Sequence, residues 1–447
     1  MISFLLLLLV NTALSEKTCY WNAQCPFQLY STKTPYDTIR GDIRDHANPQ
    51  NCEAISVWSL HRHGNRNPGS RVTEDIKAIA SLKDEIVASY DQGRSQLCSQ
   101  DIEEFRKFVW NETLETSQSF LTGIGYEEIY DIATRIRQKY PHLLRGSEDD
   151  YYFRTTNEQR TITSSIAFVH GLTEGTNLTL DVDGPWERDD IIRPYENCDR
   201  YQDEVKGGEV LVQELDAYAG TDEYITLHYQ RVIFYKETRT KSRATASNIY
   251  FYVTNKVEKL TADDIYTFYE ICRFYRSWST VKQSPWCSVF SDEDLVVLEY
   301  RDDVRHYYRN GYGSWFSHDT MMEMAFCAMG LYKDSSQIRG STRNTNRLWR
   351  TSHIAAFSTN IIAVLNRCTE SGTQTYRVQF FINEKESELC PLSGCTWQQF
   401  EDQFQHYTNS LDFCSPGYPA PETKGAAAVS VAVSLLFLQL FVILSIR

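Results

Sequence analysis

The run Arg62-His63-Gly64-Asn65-Arg66-Asn67-Pro68 follows directly on Ala54 to Leu60, an apolar stretch rich in β-forming residues. A histidine held between two arginines is costly to protonate but easy to bring against a dianion. Both guanidiniums can fork onto phosphate oxygens while the imidazole attacks phosphorus. Gly64 is expected to let the backbone approach the ligand. Phosphoryl transfer also needs cations for the equatorial oxygens and a proton for the leaving oxygen. Arg62, Arg66, Arg160 and His318 can supply the cations, and Asp319 the proton. A donor that must be protonated predicts an acidic pH optimum.

Each of these residues has an ordinary alternative. Arg160 can be a solvated helix residue, and Asp319 can be the N-cap of the helix that follows it. His61 and His63 form an H-x-H pair able to hold zinc, but no H-E-x-x-H and no acidic partner set at ligand spacing accompanies it. No metal or other cofactor is therefore assigned, and His61 reads as a strand-end residue. Met321, Met322, Met324 and Met329 read as core packing.

Three strand-to-helix junctions must position the reactive groups. Ala54 to Leu60 leads through the Arg/His loop to a helix capped at Thr73-Glu74-Asp75, with apolar positions Ile76, Ile79, Leu82, Ile86 and Val87. Tyr151 to Thr155 leads to a helix capped at Asn157, with Ile162, Ile166 and Val169 on one face and Arg160 in its first turn. Trp315 to Ser317 leads through His318-Asp319 to a helix with the capping-box pattern Thr320-x-x-Glu323. In a parallel α/β sheet, such junctions converge at the carboxyl ends of the strands, so positions distant in sequence can build one site. The segment 174–310, helical in tone, reads as an insertion covering the sheet.

The chain has 447 residues and a net charge of −14, which argues against nucleic acid as a partner and gives the local cluster of Arg62, Arg66 and Arg71 more weight. Phe4 to Val10 followed by Ala13 and Ser15 reads as a secretory signal over residues 1–15. Twelve cysteines and the sequons at Asn111 and Asn177 agree with an oxidising, glycosylating compartment. Their pairing is not deducible, although Cys390 and Cys395 are near enough for a local bridge and Cys327 reads as a buried free thiol. After a Pro/Gly-rich stalk over 415–425, the stretch 426–447 reads as a GPI-anchor signal or a transmembrane tail. Either form attaches the protein to the extracellular face of the plasma membrane.

The first run resembles the R-H-G-x-R-x-P signature of the acid phosphatase and phytase branch of the histidine phosphatases. Beyond it, Pro194-Tyr195-Glu196-Asn197-Cys198, Ser284-Pro285-Trp286-Cys287, Leu298-Glu299-Tyr300 with Asp303, Gly311-Tyr312-Gly313 and Phe381-Ile382-Asn383-Glu384 are similar to motifs of the multiple inositol polyphosphate phosphatases. The resemblance covers about Tyr36 to Cys414. It implies an α/β fold with a parallel-rich sheet flanked by helices and an inserted mainly α domain. The phosphatase domain would span 16–173 and 311–414, the insert 174–310. It implies hydrolysis of inositol polyphosphates through a phosphohistidine on His63, without a metal. Arg62, Arg66, Arg160 and His318 would hold phosphate, and Arg71 would contact substrate. The family usually reads His-Ala-Glu where this chain has His318-Asp319-Thr320, and it places a helix and a strand where this chain has only Ser314 to Ser317. Two alternatives follow: a less selective acid phosphatase, or an inactive surface receptor or adhesion protein.

Overall fold

The computed structural model describes residues 28–185 apart from 94 and 96, residue 192, 201–226 apart from 207, 262–279, 284–311, and 318–404 apart from 392. The signal and anchor expectations, the motif at 194–198, Trp315 to Ser317 and most of Gly311-Tyr312-Gly313 lie outside the described residues. Among the described residues no helix is long and apolar enough to cross a membrane.

Among the described residues five strands form one sheet: β1 (Cys52–His61), β2 (Asn360–Glu370), β3 (Thr373–Ile382), β4 (Lys385–Glu386) and β5 (Cys395–Thr396), in the order β1-β2-β3-β4 with β5 also on β3. All these pairings are antiparallel, which corrects the expectation of a parallel-rich sheet. The physical reason is local. Ser371 and Gly372 both have positive φ, the two-residue turn that returns β2 directly into β3, and a parallel pair would need a long crossover. Among the described residues Tyr151 to Thr155 joins no sheet, and its one ladder contact is a parallel bridge from Arg154 to Asp183.

Around the sheet the described helices are α1 (Ser70–Ala80), α2 (Lys83–Asp91), α3 (Ser99–Lys107), α4 (Thr113–Thr116), α5 (Gly123–Lys139), α6 (Gln159–Thr173), α7 (Glu209–Ala219), α8 (Asp222–Thr226), α9 (Ala262–Ser277), α10 (Asp292–His306), α11 (Asp319–Ala328), α12 (Thr351–Ile354) and α13 (Trp397–Phe404). Successive residues of β2 point to opposite faces. Ile361, Ala363 and Leu365 enter the larger core with α1, α9, α10 and α11, whereas Ile362 and Val364 enter a smaller one with α5 and α6. The sheet is therefore flanked by helices on both sides, as expected. All four methionines named above are buried in the larger core.

Helix starts differ from the sequence reading. α1 begins at Ser70, because Thr73 spends its hydroxyl on the Gly69 carbonyl inside the first turn instead of capping. α6 is capped at Glu158, and its buried face is Thr161, Ser164, Ala167 and Gly171 while Ile166 is exposed. Small residues line that face because α6 lies hard against α5, where a Cβ on Gly171 would stand 2.3 Å from the Tyr130 carbonyl oxygen. In α11, Glu323 turns away from the cap to pair with His306, 3.1 Å away.

Disulfides join Cys52 to Cys368 across β1 and β2, Cys272 to Cys287, and Cys390 to Cys395, the last as expected; Cys327 is a free thiol. The motif carboxylates are ties within the fold. Glu384 takes both arms of Arg135 at 2.7 Å, and Glu299 and Asp303 hold Arg347.

Candidate active site

The loop leaving β1 is pinned along its backbone. Arg62 N–H donates to the Thr359 carbonyl, Gly64 N–H to Ser164 Oγ, Asn65 N–H to Glu128 Oε2 and Asn67 N–H to the Phe120 carbonyl, at 2.8 to 3.1 Å. The His63 carbonyl accepts from Ser358 N–H. Donors and acceptors from four other segments thus set the loop before any ligand arrives. Beyond the ligand approach expected of it, Gly64 meets a packing constraint from α5. A Cβ there would lie 2.2 Å from the Gly125 carbonyl oxygen, so the glycine exists to let α5 cross the loop.

Within this frame His63 is buried and its Nδ1 bonds the Gly64 carbonyl at 2.8 Å. Its ring meets that of His318 edge-on, with centroids 5.4 Å apart. Burial, then Arg62, Arg160, His318 and Arg66, push its pKa well below the ordinary histidine value. Arg62 is fully buried, stacked over Phe357, with Nη1 held by the Thr32 and Ala355 carbonyls at 2.7 Å and Nη2 at 3.4 Å from Asp319. Arg160, at the second position of α6, pairs with Glu158 at 3.1 Å. Arg66 donates to the Asn67 carbonyl, and burial together with Arg160 and Arg62 lowers it to about 9. The Nε atoms of Arg62, Arg66 and Arg160 are all buried and make no hydrogen bond among the described residues. Three guanidiniums that all lower His63 and keep buried Nε donors unused suit a dianion.

His318 is buried at the N-cap of α11, and Asp319 follows with its side chain 22% exposed. Burial alone would raise the Asp319 carboxyl, but Arg62, then His306, Lys33 and His318, hold it well below the usual carboxylate range. The short segment before His318 does not keep the donor motif from the nucleophile. Arg301 to Asn310 forms the end of α10 and most of the π-turn Tyr307–Gly311, and the His306–Glu323 pair ties α10 to α11.

Not every expected residue joins the cluster. Arg71 is 94% exposed on α1, 4.0 Å from Asp75, and Lys77 pairs with Glu115 on the same exposed surface. One turn past the loop, the chain has already rotated them into solvent. His61 bonds Ser59 and packs on Phe168, so the H-x-H pair is split between different neighbours. Sequence reasoning missed Lys33, Glu128, Ser164 and Gly125. Ser164 was recoverable, one helical turn beyond Arg160. Lys33 lies far upstream of the loop and carried no signal.

Residues 54–315, well over half of the chain, match the family model of the histidine phosphatase superfamily (branch 2). The chain belongs to that superfamily. The match takes in Arg62, His63, Arg66 and Arg160 of this histidine phosphatase and stops short of His318. Multiple inositol polyphosphate phosphatase 1 of Drosophila melanogaster is 27% identical over 461 residues, covering 92% of this chain and 93% of the relative. The Homo sapiens protein of the same name is 23% identical over 448 residues, covering 86% and 87%. Among solved structures, the phytase from D. castellii has a TM-score of 0.63 at 16% identity over 87% of this chain and 88% of its own. The Bifidobacterium longum multiple inositol polyphosphate phosphatase in complex with inositol hexasulfate has a TM-score of 0.57 at 14% identity, covering 81% and 94%. The architecture is the histidine phosphatase fold.

Proposed function

We propose that this histidine phosphatase hydrolyses inositol polyphosphates through a covalent phosphohistidine. The observation that carries the reading is a buried imidazole held neutral beside three guanidiniums whose Nε donors are unused. His63 Nε2 attacks phosphorus as the ester P–O bond breaks. Arg62, Arg66, Arg160 and His318 take the charge of the equatorial oxygens. Asp319 delivers a proton to the leaving alkoxide, then as a carboxylate takes one from the water that attacks phosphohistidine and frees phosphate. In the ligand-free site Asp319 is ionised by its cationic neighbours. A bound dianion offsets Arg62 and His318, so the carboxyl regains its proton most readily at acidic pH, where His63 is still neutral.

Purified protein should release phosphate from phytate and, less selectively, from a simple aryl phosphate. Equal preference would favour the less selective acid phosphatase. No turnover of either would favour the inactive surface protein, a reading that the close approach of His318 to His63 disfavours.

We also propose that the enzyme acts outside the cell, glycosylated at Asn111 and Asn177 and held by a GPI anchor. The support is the leader-like start, the disulfides, the exposed position of both asparagines and the small residues Gly425-Ala426-Ala427 before the apolar tail. A phospholipase that cuts GPI anchors should release active enzyme from intact cells, and retention in the membrane would favour a transmembrane tail.

A further inference from the structure

We propose that Lys33 binds a second phosphate of the substrate on the leaving-group side of the site, and so gives the enzyme its preference for polyphosphorylated rings. This rests on the phosphatase reading above. With Arg71 out in solvent, no residue identified from sequence is left to recognise more than the scissile phosphate.

Lys33 closes the 3₁₀ turn Ser31–Lys33 and is buried. Its Nζ donates to Thr32 Oγ1 at 2.6 Å and lies 5.6 Å from the centre of the Phe274 ring. Among the described residues no carboxylate pairs with it at contact distance. The charges that face it are Arg273 and Glu270 from α9, Arg66 from the nucleophile loop and Asp319 from α11. Two of these four belong to the site. A buried ammonium with two arginines near it and no ion-pair partner is unfavourable unless an anion joins it.

The side on which it lies follows from Arg62. One end of that guanidinium is held by the carbonyl of Thr32, the residue next to Lys33, and the other end reaches Asp319. One guanidinium thus bridges the turn and the donor, and Lys33 and Asp319 are each among the charges acting on the other, so the turn lies on the donor side. Attack by His63 expels the leaving oxygen toward Asp319, so the inositol ring occupies that side and brings its neighbouring phosphates there. Burial, then Arg273, lowers the Lys33 ammonium to about 7. Its charge is therefore present below about 7 and lost above, and a bound phosphate would pull it back up.

The test is binding of myo-inositol hexasulfate, whose charge does not change over the working range, measured by calorimetry at pH 5 and pH 8. Wild type should bind more weakly at pH 8, Lys33→Met should lose roughly 10- to 100-fold at pH 5, and Lys33→Arg should bind well at both, since arginine keeps its charge. In turnover, Lys33→Met should raise KM for phytate more than it lowers kcat, with a smaller shift in KM for an aryl phosphate. Hexasulfate affinity unchanged in Lys33→Met, or equal losses on phytate and aryl phosphate, would overturn the assignment. If wild type hydrolyses aryl phosphate but not phytate, the substrate reading fails by itself, and the titration still decides whether Lys33 binds a polyanion.

Discussion

His63 Nδ1 donates to the carbonyl oxygen of its own neighbour, Gly64, at 2.8 Å. A carbonyl can only accept, so Nδ1 carries the hydrogen and Nε2 keeps its lone pair. The contact also stops the ring from turning. Because Gly64 is itself pinned by Ser164 and crossed by Gly125, the nucleophile is aligned by the fold and not by the substrate.

His63→Ala should therefore abolish turnover while the protein remains folded, since the loop is held by its backbone. Acid-quenched wild type should retain phosphate that is acid-labile and alkali-stable. A wild type with no trapped phosphoenzyme during turnover would point to direct attack by water.

Asp319→Asn should separate substrates by leaving group. An inositol alkoxide needs a proton and a nitrophenolate does not, so loss on phytate should be about 10²- to 10⁴-fold and loss on the nitrophenyl ester much smaller. The sign of the pH dependence follows. Wild-type turnover of phytate should rise as pH falls, because the depressed carboxyl must regain a proton while His63, depressed too, stays neutral. Equal losses on both esters would make Asp319 a holder of the helix start. Glu323, fully buried against His306, is not available to replace it.

Arg160→Ala should cost about 10²- to 10³-fold in kcat, the usual effect of deleting one group that stabilises transition-state charge. Arg71→Ala should change kcat/KM for phytate less than twofold, roughly what an exposed, weakly paired side chain supports. A large loss in Arg71→Ala would mean that α1 turns toward the site when substrate binds.

Gly125→Ala tests the crossing of α5 with the loop. Its Cβ would stand 2.1 Å from the Asn65 carbonyl oxygen, a contact that backbone must relieve. Overpacking of this kind typically costs about 1 to 3 kcal/mol, so Tm should fall by several degrees and kcat with it. A variant with unchanged Tm and turnover would show that the loop tolerates displacement.

The residues of the proposed nucleophile loop could be picked out in sequence because they are contiguous. Arg62, His63 and Arg66 need only one loop, and the same is true of His318 with Asp319 or of the Cys390–Cys395 bridge. Strand direction was not legible. Apolar β-formers report burial, whereas pairing was settled by the Ser371-Gly372 turn and by β1 lying beside β2, some 300 residues later. The buried face of α6 was misread for a related reason: large apolar residues suggest a core face, but a close helix crossing selects small ones.

What the sequence determined alone is the family, together with a candidate set of groups for phosphoryl transfer. Which of the remaining cations lie near the site was decided only by tertiary structure. Arg71, nine residues from Arg62, points into solvent, while Lys33, on a separate turn, is buried toward the site. The reason is that helical rotation disperses neighbours within one turn, and packing against the sheet gathers residues that the chain keeps apart.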